Sequence, residues 1–233
     1  MSDLKHRQIL VLGGSGQLGS RIVTSLASRG AVVLATATTL ENAARIPTPA
    51  SVRLLLDLNS QESIDVLAQY LIETDTQIDG IVNAAGVVAF GPIQELEADK
   101  LEQLFRVNSM GPISLISKLL PALKTSGSAE RSPFIATISG VVAEQPMAGL
   151  AAYSASKSAL FGFTQAIGRE LRRDGIRVLD ARPGHTETGL AGRAISGVSP
   201  NFPSGMNPDD VVARIIQAIE ADEKDLASGA FSS

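Results

Sequence analysis

Short, mostly apolar runs alternate along this chain with segments that are apolar on one face only. That alternation limits what the chain can fold into more than any other feature. The runs fall at residues 8–12, 31–35, 52–58, 78–82, 134–138 and 176–180. A strand with no polar face must be covered on both sides, as strands in parallel sheets are. Helical patterns follow at 21–27, 64–72, 99–123 and 159–171, where apolar residues recur three and four apart. The expected fold class is α/β, a doubly wound parallel β-sheet flanked by helices on both faces. With 233 residues and no abrupt change of composition, residues 1–233 are expected to form a single domain. The stretch 185–207, rich in Gly, Ser and Pro, is expected to be a mobile lid within it.

The first apolar run ends at Gly13-Gly14-Ser15-Gly16-Gln17-Leu18-Gly19, directly before a helical pattern. Glycines between a strand and a helix let the backbone approach a pyrophosphate, and the helix start supplies N–H groups and a favourable dipole. Gly13, Ser15, Gly16, Gln17, Leu18 and Gly19 are therefore candidate dinucleotide contacts. The second run ends in Thr36-Ala37-Thr38-Thr39 with no acid nearer than Glu41. An acid at this place hydrogen-bonds a ribose 2′-hydroxyl. Here nothing repels a 2′-phosphate, and the hydroxyls of Thr36 and Thr38 can donate to one, unless they only satisfy local backbone groups. NADP is the expected cofactor, with NAD as the alternative. An aspartate placed at Thr36 is expected to reverse the preference.

Ligands in such sheets bind beyond the carboxyl ends of the strands. Asn83, Ser139 and Pro183-Gly184 directly follow strand ends and should gather at one rim with the glycine turn. Tyr153 and Lys157 lie four apart in a helical segment, so both can reach one ligand. An ammonium beside a phenol stabilises the phenolate and is expected to lower its pKa. Such a pair also arises by chance, and its meaning depends on the other motifs. Within 99–123 the segment Asn108-Ser109-Met110-Gly111-Pro112 should bend or restart the helix and free backbone groups.

Together these motifs resemble the short-chain dehydrogenase/reductase family over almost the whole chain. The resemblance rests on the glycine turn, Asp57, Asn83-Ala84-Ala85-Gly86, Asn108, Ser139, Tyr153-x-x-x-Lys157 and Pro183-Gly184-x-x-x-Thr188. It implies a Rossmann-like oxidoreductase that moves a hydride between a nicotinamide cofactor and a carbonyl or alcohol substrate. By that resemblance Tyr153 is the general acid or base, and Lys157 holds the nicotinamide ribose. Ser139 bonds the substrate oxygen, and Asn108 anchors a proton-relaying water. Asp57 meets the adenine, while Asn83, Ala84, Ala85 and Gly86 line the cofactor site. Pro183, Gly184, Thr186 and Thr188 continue that lining, with Thr188 at the carboxamide. The chain also departs from the family. Its glycine spacing is closer to that of epimerase-like relatives, and Ala84 replaces the second Asn of the usual Asn-Asn-Ala-Gly. Gly140 stands where the family's serine falls, with Ser139 one residue earlier. Either the loop carries one extra residue and Ser139 takes the role, or Ser139 packs into the sheet and the oxygen is held without it.

Two other functions fit the motifs less well. One is a non-catalytic, dinucleotide-sensing protein, for which a proton donor is superfluous. The other is an epimerase or dehydratase, which lacks a substrate domain here. A net charge of −4 disfavours nucleic acid as a partner. With no cysteine and two histidines, no transition-metal site is expected. No apolar stretch is long enough to span a bilayer, and the expected location is cytoplasmic. A homodimer or homotetramer is expected through the helices of 99–123 and 159–171. His185, Glu144, Met147 and Phe90 are each placed between a pocket role and an ordinary structural one.

Overall fold

The computed structural model describes residues 3–125 and 132–231. The exposed loop expected at Ser126-Gly127-Ser128 lies outside them. Seven parallel strands form one sheet in the order β3-β2-β1-β4-β5-β6-β7. They are β1 (Gln8–Leu12), β2 (Val32–Ala37), β3 (Val52–Leu55), β4 (Gly80–Asn83), β5 (Phe134–Ile138), β6 (Arg177–Ala181) and β7 (Asp225–Leu226). The helices are α1 (Gln17–Ser28), α2 (Leu40–Ala44), α3 (Gln61–Glu73), α4 (Ala98–Phe105), α5 (Gly111–Thr125), α6 (Ala151–Glu170) and α7 (Pro208–Glu220). From β1 the chain builds outward to β3 and then returns to place β4 on the other side of β1. That reversal makes this a doubly wound Rossmann fold and opens a crevice beyond the ends of β1 and β4.

The side-chain period of two explains why the central strands are apolar throughout. Ile9 and Val11 of β1 pack with Ile22, Val23 and Leu26 of α1 and with Ile215 and Ile219 of α7. Leu10 and Leu12 face the other way, into Leu67 and Leu71 of α3 and Leu115 and Leu119 of α5. The central strands thus supply alternate residues to two separate cores.

Of the boundaries that differ from the sequence reading, three have a clear local cause. The third strand was expected to run through 58 but ends at Leu55, because Asp57 opens a turn. Its N–H donates to Ser63 Oγ (2.9 Å), and its Oδ1 accepts the Asn59 N–H (2.9 Å). The second strand runs on to Ala37 because Leu56 N–H bonds Ala37 O at 2.9 Å. The long helix of 99–123 divides into α4 and α5 around a π-helical turn at Arg106–Met110. Gly111 N–H reaches back to Arg106 O there, and Pro112 brings no N–H of its own. A Cβ on Gly111 would lie 2.5 Å from Leu58 O, so only glycine permits this approach.

The 185–207 segment is tied to the loop after β4 at its middle, and its two ends are bonded to each other. Phe90 N–H donates to Ser196 O (2.9 Å), Ile195 N–H to Val88 O (2.9 Å) and Met206 N–H to His185 O (2.7 Å). Among the described residues no helix is long and apolar enough to cross a membrane.

Candidate active site

A cleft of about 780 Å³ lies beyond the carboxyl ends of the strands. Its floor at one side is the β1–α1 turn, where Gly13 adopts φ +76°, a conformation that favours glycine. Gly13, Ser15, Gly16, Gln17 and Leu18 line the cleft. Gly19 does not reach it. A Cβ there would sit 2.1 Å from Gly13 O, so its service is to let α1 press onto the turn. The N-terminus of α1 carries no side-chain cap and no acid in its first turn, which leaves its leading N–H groups free for an anion.

The hydroxyls at the end of β2 divide in their roles. Thr36 is 1% exposed, and its Oγ1 accepts the Gly13 N–H at 3.1 Å. It braces the glycine turn, so an aspartate there would bury a carboxylate against that turn. Thr39 caps α2 by accepting the Asn42 N–H. Thr38 is exposed and lines the cleft beside Asn42 and Arg45, whose side chains hydrogen-bond one another. The sequence reading missed Arg45, because a short helix separates it from the strand end. Asp57 lines the same end of the cleft.

After β4, Ala84, Ala85 and Gly86 line the cleft, whereas Asn83 is fully buried. Its Oδ1 accepts the Ala85 N–H at 3.2 Å and shapes the turn, which corrects its expected place in the lining. Asn108 is also fully buried. Its amide holds the Val87 backbone from both sides, Oδ1 accepting its N–H and Nδ2 donating to its carbonyl, each at 2.9 Å. Nδ2 also donates to Ser156 Oγ at 2.9 Å. The Asn108 side chain thus ties the π-helical turn to α6 and to the β4 loop and has little capacity left for a water. A Cβ on Gly86 would lie 3.2 Å from both Asn108 Oδ1 and Lys157 Nζ. Gly86 is the space in which these groups converge.

Tyr153 and Lys157 occupy the first turns of α6, which begins at Ala151, and both face the cleft. Lys157 Nζ donates to Ile138 O at 2.9 Å. Burial pushes the Lys157 ammonium down to about 8, against the opposing pull of the Asp180 charge. Burial also pushes the Tyr153 phenol up to about 12. The direction is opposite to the expected lowering, its cause is burial of the ring, and the phenol is neutral at physiological pH.

Ser139 has no exposed surface, and its Oγ donates to Asp180 Oδ2 at 2.6 Å. Ser139 is among the residues that line the cleft, with its hydroxyl engaged by Asp180. Gly140 lines the cleft at φ +78°, with only Pro183 O, at 3.8 Å, near a built Cβ. Pro183, Gly184, Thr186 and Thr188 line the cleft. Thr186 Oγ1 donates to Gly184 O at 2.9 Å, which holds the loop in place. The far end is apolar, with Phe90, Val142, Met147, Leu150, Leu190 and Phe202 on its walls. His185 lines it too, its ring 4.9 Å from that of Phe202. Glu144 lies outside the lining; it accepts from Arg182 and from Ser228 Oγ (2.6 Å).

The family model described as short chain dehydrogenase matches residues 7–197. The chain is 29% identical to a dehydrogenase/reductase SDR family protein 7-like of Anopheles gambiae, covering 96% of this chain and 75% of that protein. It is 32% identical to the uncharacterized oxidoreductase YbbO of Escherichia coli K12, covering 78% and 67% respectively. A solved short-chain dehydrogenase from Sphingobium yanoikuyae, in complex with NADPH, superposes with TM-score 0.83 at 25% identity, covering 95% of this chain and 87% of that one. With that match across the glycine turn, the cleft and the Tyr153–Lys157 helix, the chain belongs to the short-chain dehydrogenase family and is an NAD(P)(H)-dependent oxidoreductase of carbonyl and alcohol groups.

Proposed function

We propose that this protein reduces an apolar ketone or aldehyde with NADP(H), and runs the reverse oxidation, with Tyr153 as the general acid and base. The observation that carries this reading is the neutral, cleft-facing Tyr153 phenol one helical turn from a buried Lys157. The residues present suit a dinucleotide. The glycine turn leaves room for a pyrophosphate, the open start of α1 offers it donors, and Lys157 can reach a ribose. When bound, the nicotinamide supplies the hydride.

Among the cleft-lining residues, the cations are Arg45, Lys157 and Arg193. Arg45 stands with Thr38 at the end of β2, a strand that itself ends without an acid. That pairing of charge and donor favours NADP(H) over NAD(H). The NADPH held by the Sphingobium relative agrees with it.

In the reductive direction the substrate oxygen gains negative charge as its carbon is reduced. The Tyr153 O–H gives that oxygen its proton, and Lys157 lowers the cost of the phenolate that remains. Asn108 contributes by fixing the Val87 backbone against α6. The 185–207 segment closes the apolar end and keeps water from the reacting atoms, with Phe202 and Leu190 as its contribution to the wall. Turnover of a panel of apolar ketones, followed by the absorbance of the reduced cofactor with NADPH and with NADH, tests the reading. Consumption of NADPH is expected, and a panel without turnover would overturn it.

A further inference from the structure

Strands β5 and β6 run parallel, with Thr137 opposite Asp180. Asp180 has no exposed surface, yet its carboxylate accepts three hydrogen bonds. They come from Thr137 Oγ1 (2.6 Å), Ser139 Oγ (2.6 Å) and Arg182 NH1 (2.9 Å). Thr137 and Ser139 are two residues apart, so their side chains leave β5 on one side and both meet the same carboxylate. Between them lies Ile138, whose carbonyl accepts from Lys157 Nζ. One carboxylate thus holds the chain on either side of the carbonyl that seats the ammonium.

The charges around this point are unequal. Arg182 pairs with Asp180, Glu144 and Asp225, and its guanidinium lies 4.4 Å from the centre of the Phe161 ring. Three carboxylates therefore share one guanidinium, and the negative excess stands behind Lys157. Burial raises the Asp180 carboxyl, while its bonds to Ser139, Thr137 and Arg182 pull it back toward ionisation. The net direction is upward, and the three donors are what favour the charged form against burial.

We propose that Asp180 is a positioning residue of the proton-transfer site: through Thr137 and Ser139 it fixes the Ile138 carbonyl beneath Lys157, and its buried charge keeps that ammonium protonated. The proposal rests on the reading of Tyr153 and Lys157 as the proton-transfer pair. It also gives Ser139 a different task. The hydroxyl that a substrate oxygen would have used serves instead to connect β5 to Asp180.

The groups that bear on Lys157 are Asp180 from β6, with Arg182 and Glu144 behind it, and the neutral Tyr153 on its own helix. Removing the Asp180 charge leaves burial unopposed, so the Lys157 midpoint must fall below about 8. The experiment follows the Lys157 Cε signal by NMR in cofactor-free protein labelled with ¹³C-lysine, the peak being assigned by its loss in Lys157→Arg. In Asp180→Asn the midpoint is expected to drop by about one pH unit or more. The alkaline limb of reductive kcat/KM should move the same way. Thr137→Val breaks one bond to the carboxylate and keeps its charge; it should lower kcat without moving the midpoint. Thr137→Val decides the matter if Asp180→Asn does not fold. An unmoved midpoint in Asp180→Asn, or an unchanged kcat in Thr137→Val, would overturn the proposal alone. Unchanged turnover in Tyr153→Phe would overturn the proton-transfer reading and the proposal with it.

Discussion

At Tyr153 the physics of burial sets the direction of the proton. A phenol pushed up to about 12 keeps its proton at neutral pH, as the general acid proposed above must. Tyr153→Phe removes that hydroxyl and leaves the ring against Val142 and Leu150, so folding and NADPH binding should survive. Turnover should fall by about 10²–10⁴-fold, measured as steady-state kcat beside a fluorescence titration of NADPH. Ser139 calls for a different expectation from the one the family resemblance carries. Its hydroxyl connects β5 to Asp180, so Ser139→Ala should lower kcat less than the roughly 10²–10³-fold that follows loss of an oxyanion donor. Gly140→Ser should not improve on the native protein. The backbone there sits at φ +78°, which a serine adopts only with strain. A kcat loss in Ser139→Ala as large as that of Tyr153→Phe would return the serine to the substrate oxygen.

The elements around the cleft explain what could be read in advance. The alternation of apolar runs and amphipathic segments encodes the sheet and both helical layers directly, because burial on two faces leaves no other pattern. The glycine turn and the Tyr153–Lys157 spacing are local features, and local features survive as sequence strings. What escaped depends on contacts between distant segments. Nothing near Asp180 or Arg182 announces that Thr137, Glu144 and Asp225 will meet them across three segments. β7 has only two residues and is defined by its pairing with β6. α7 was missed, although Asn207-Pro208-Asp209-Asp210 joins a cap, a proline at the first turn and two acids before an apolar period. Arg45 needed α2 to carry it back over the end of β2. Its position moves the test of cofactor choice from buried Thr36 to exposed Thr38. Thr38→Asp should weaken NADPH binding and strengthen NADH binding, and Arg45→Ala should weaken NADPH alone. Competitive titrations check this; NADH bound more tightly by the native protein would exclude the 2′-phosphate site.

At the scale of the whole molecule, the apolar surface left uncovered on α4 and the π-helical turn includes Leu101 (39% exposed) and Met110 (54%). A two-fold contact would place that patch against its own copy, and light scattering should then give twice the 24.3 kDa chain mass. A 24.3 kDa particle at micromolar concentration would exclude the contact under those conditions. Stability and function meet most directly at Lys157, which is 5% exposed and holds its proton only up to about 8, against about 10.4 for a free lysine. The unfolded chain keeps that proton across the interval between, so native stability should rise as pH increases from 8 toward 10. Below 8 both states are protonated and the full cost of burying the ammonium remains, roughly 3 kcal/mol. Lys157→Met fills the space without a charge and forfeits only the bond to Ile138 O, a loss of about 1 kcal/mol. The variant should therefore be inactive and yet melt about 4–8 °C higher at pH 7. Its advantage should narrow as pH rises past 8, because the native protein sheds the proton that burdens it. Thermal melts of both proteins between pH 6.5 and 9.5 measure this interval, below the point where the unfolded phenols ionise. A variant that melts lower than the native protein at pH 7 would show that the Asp180 cluster more than offsets the burial of the ammonium.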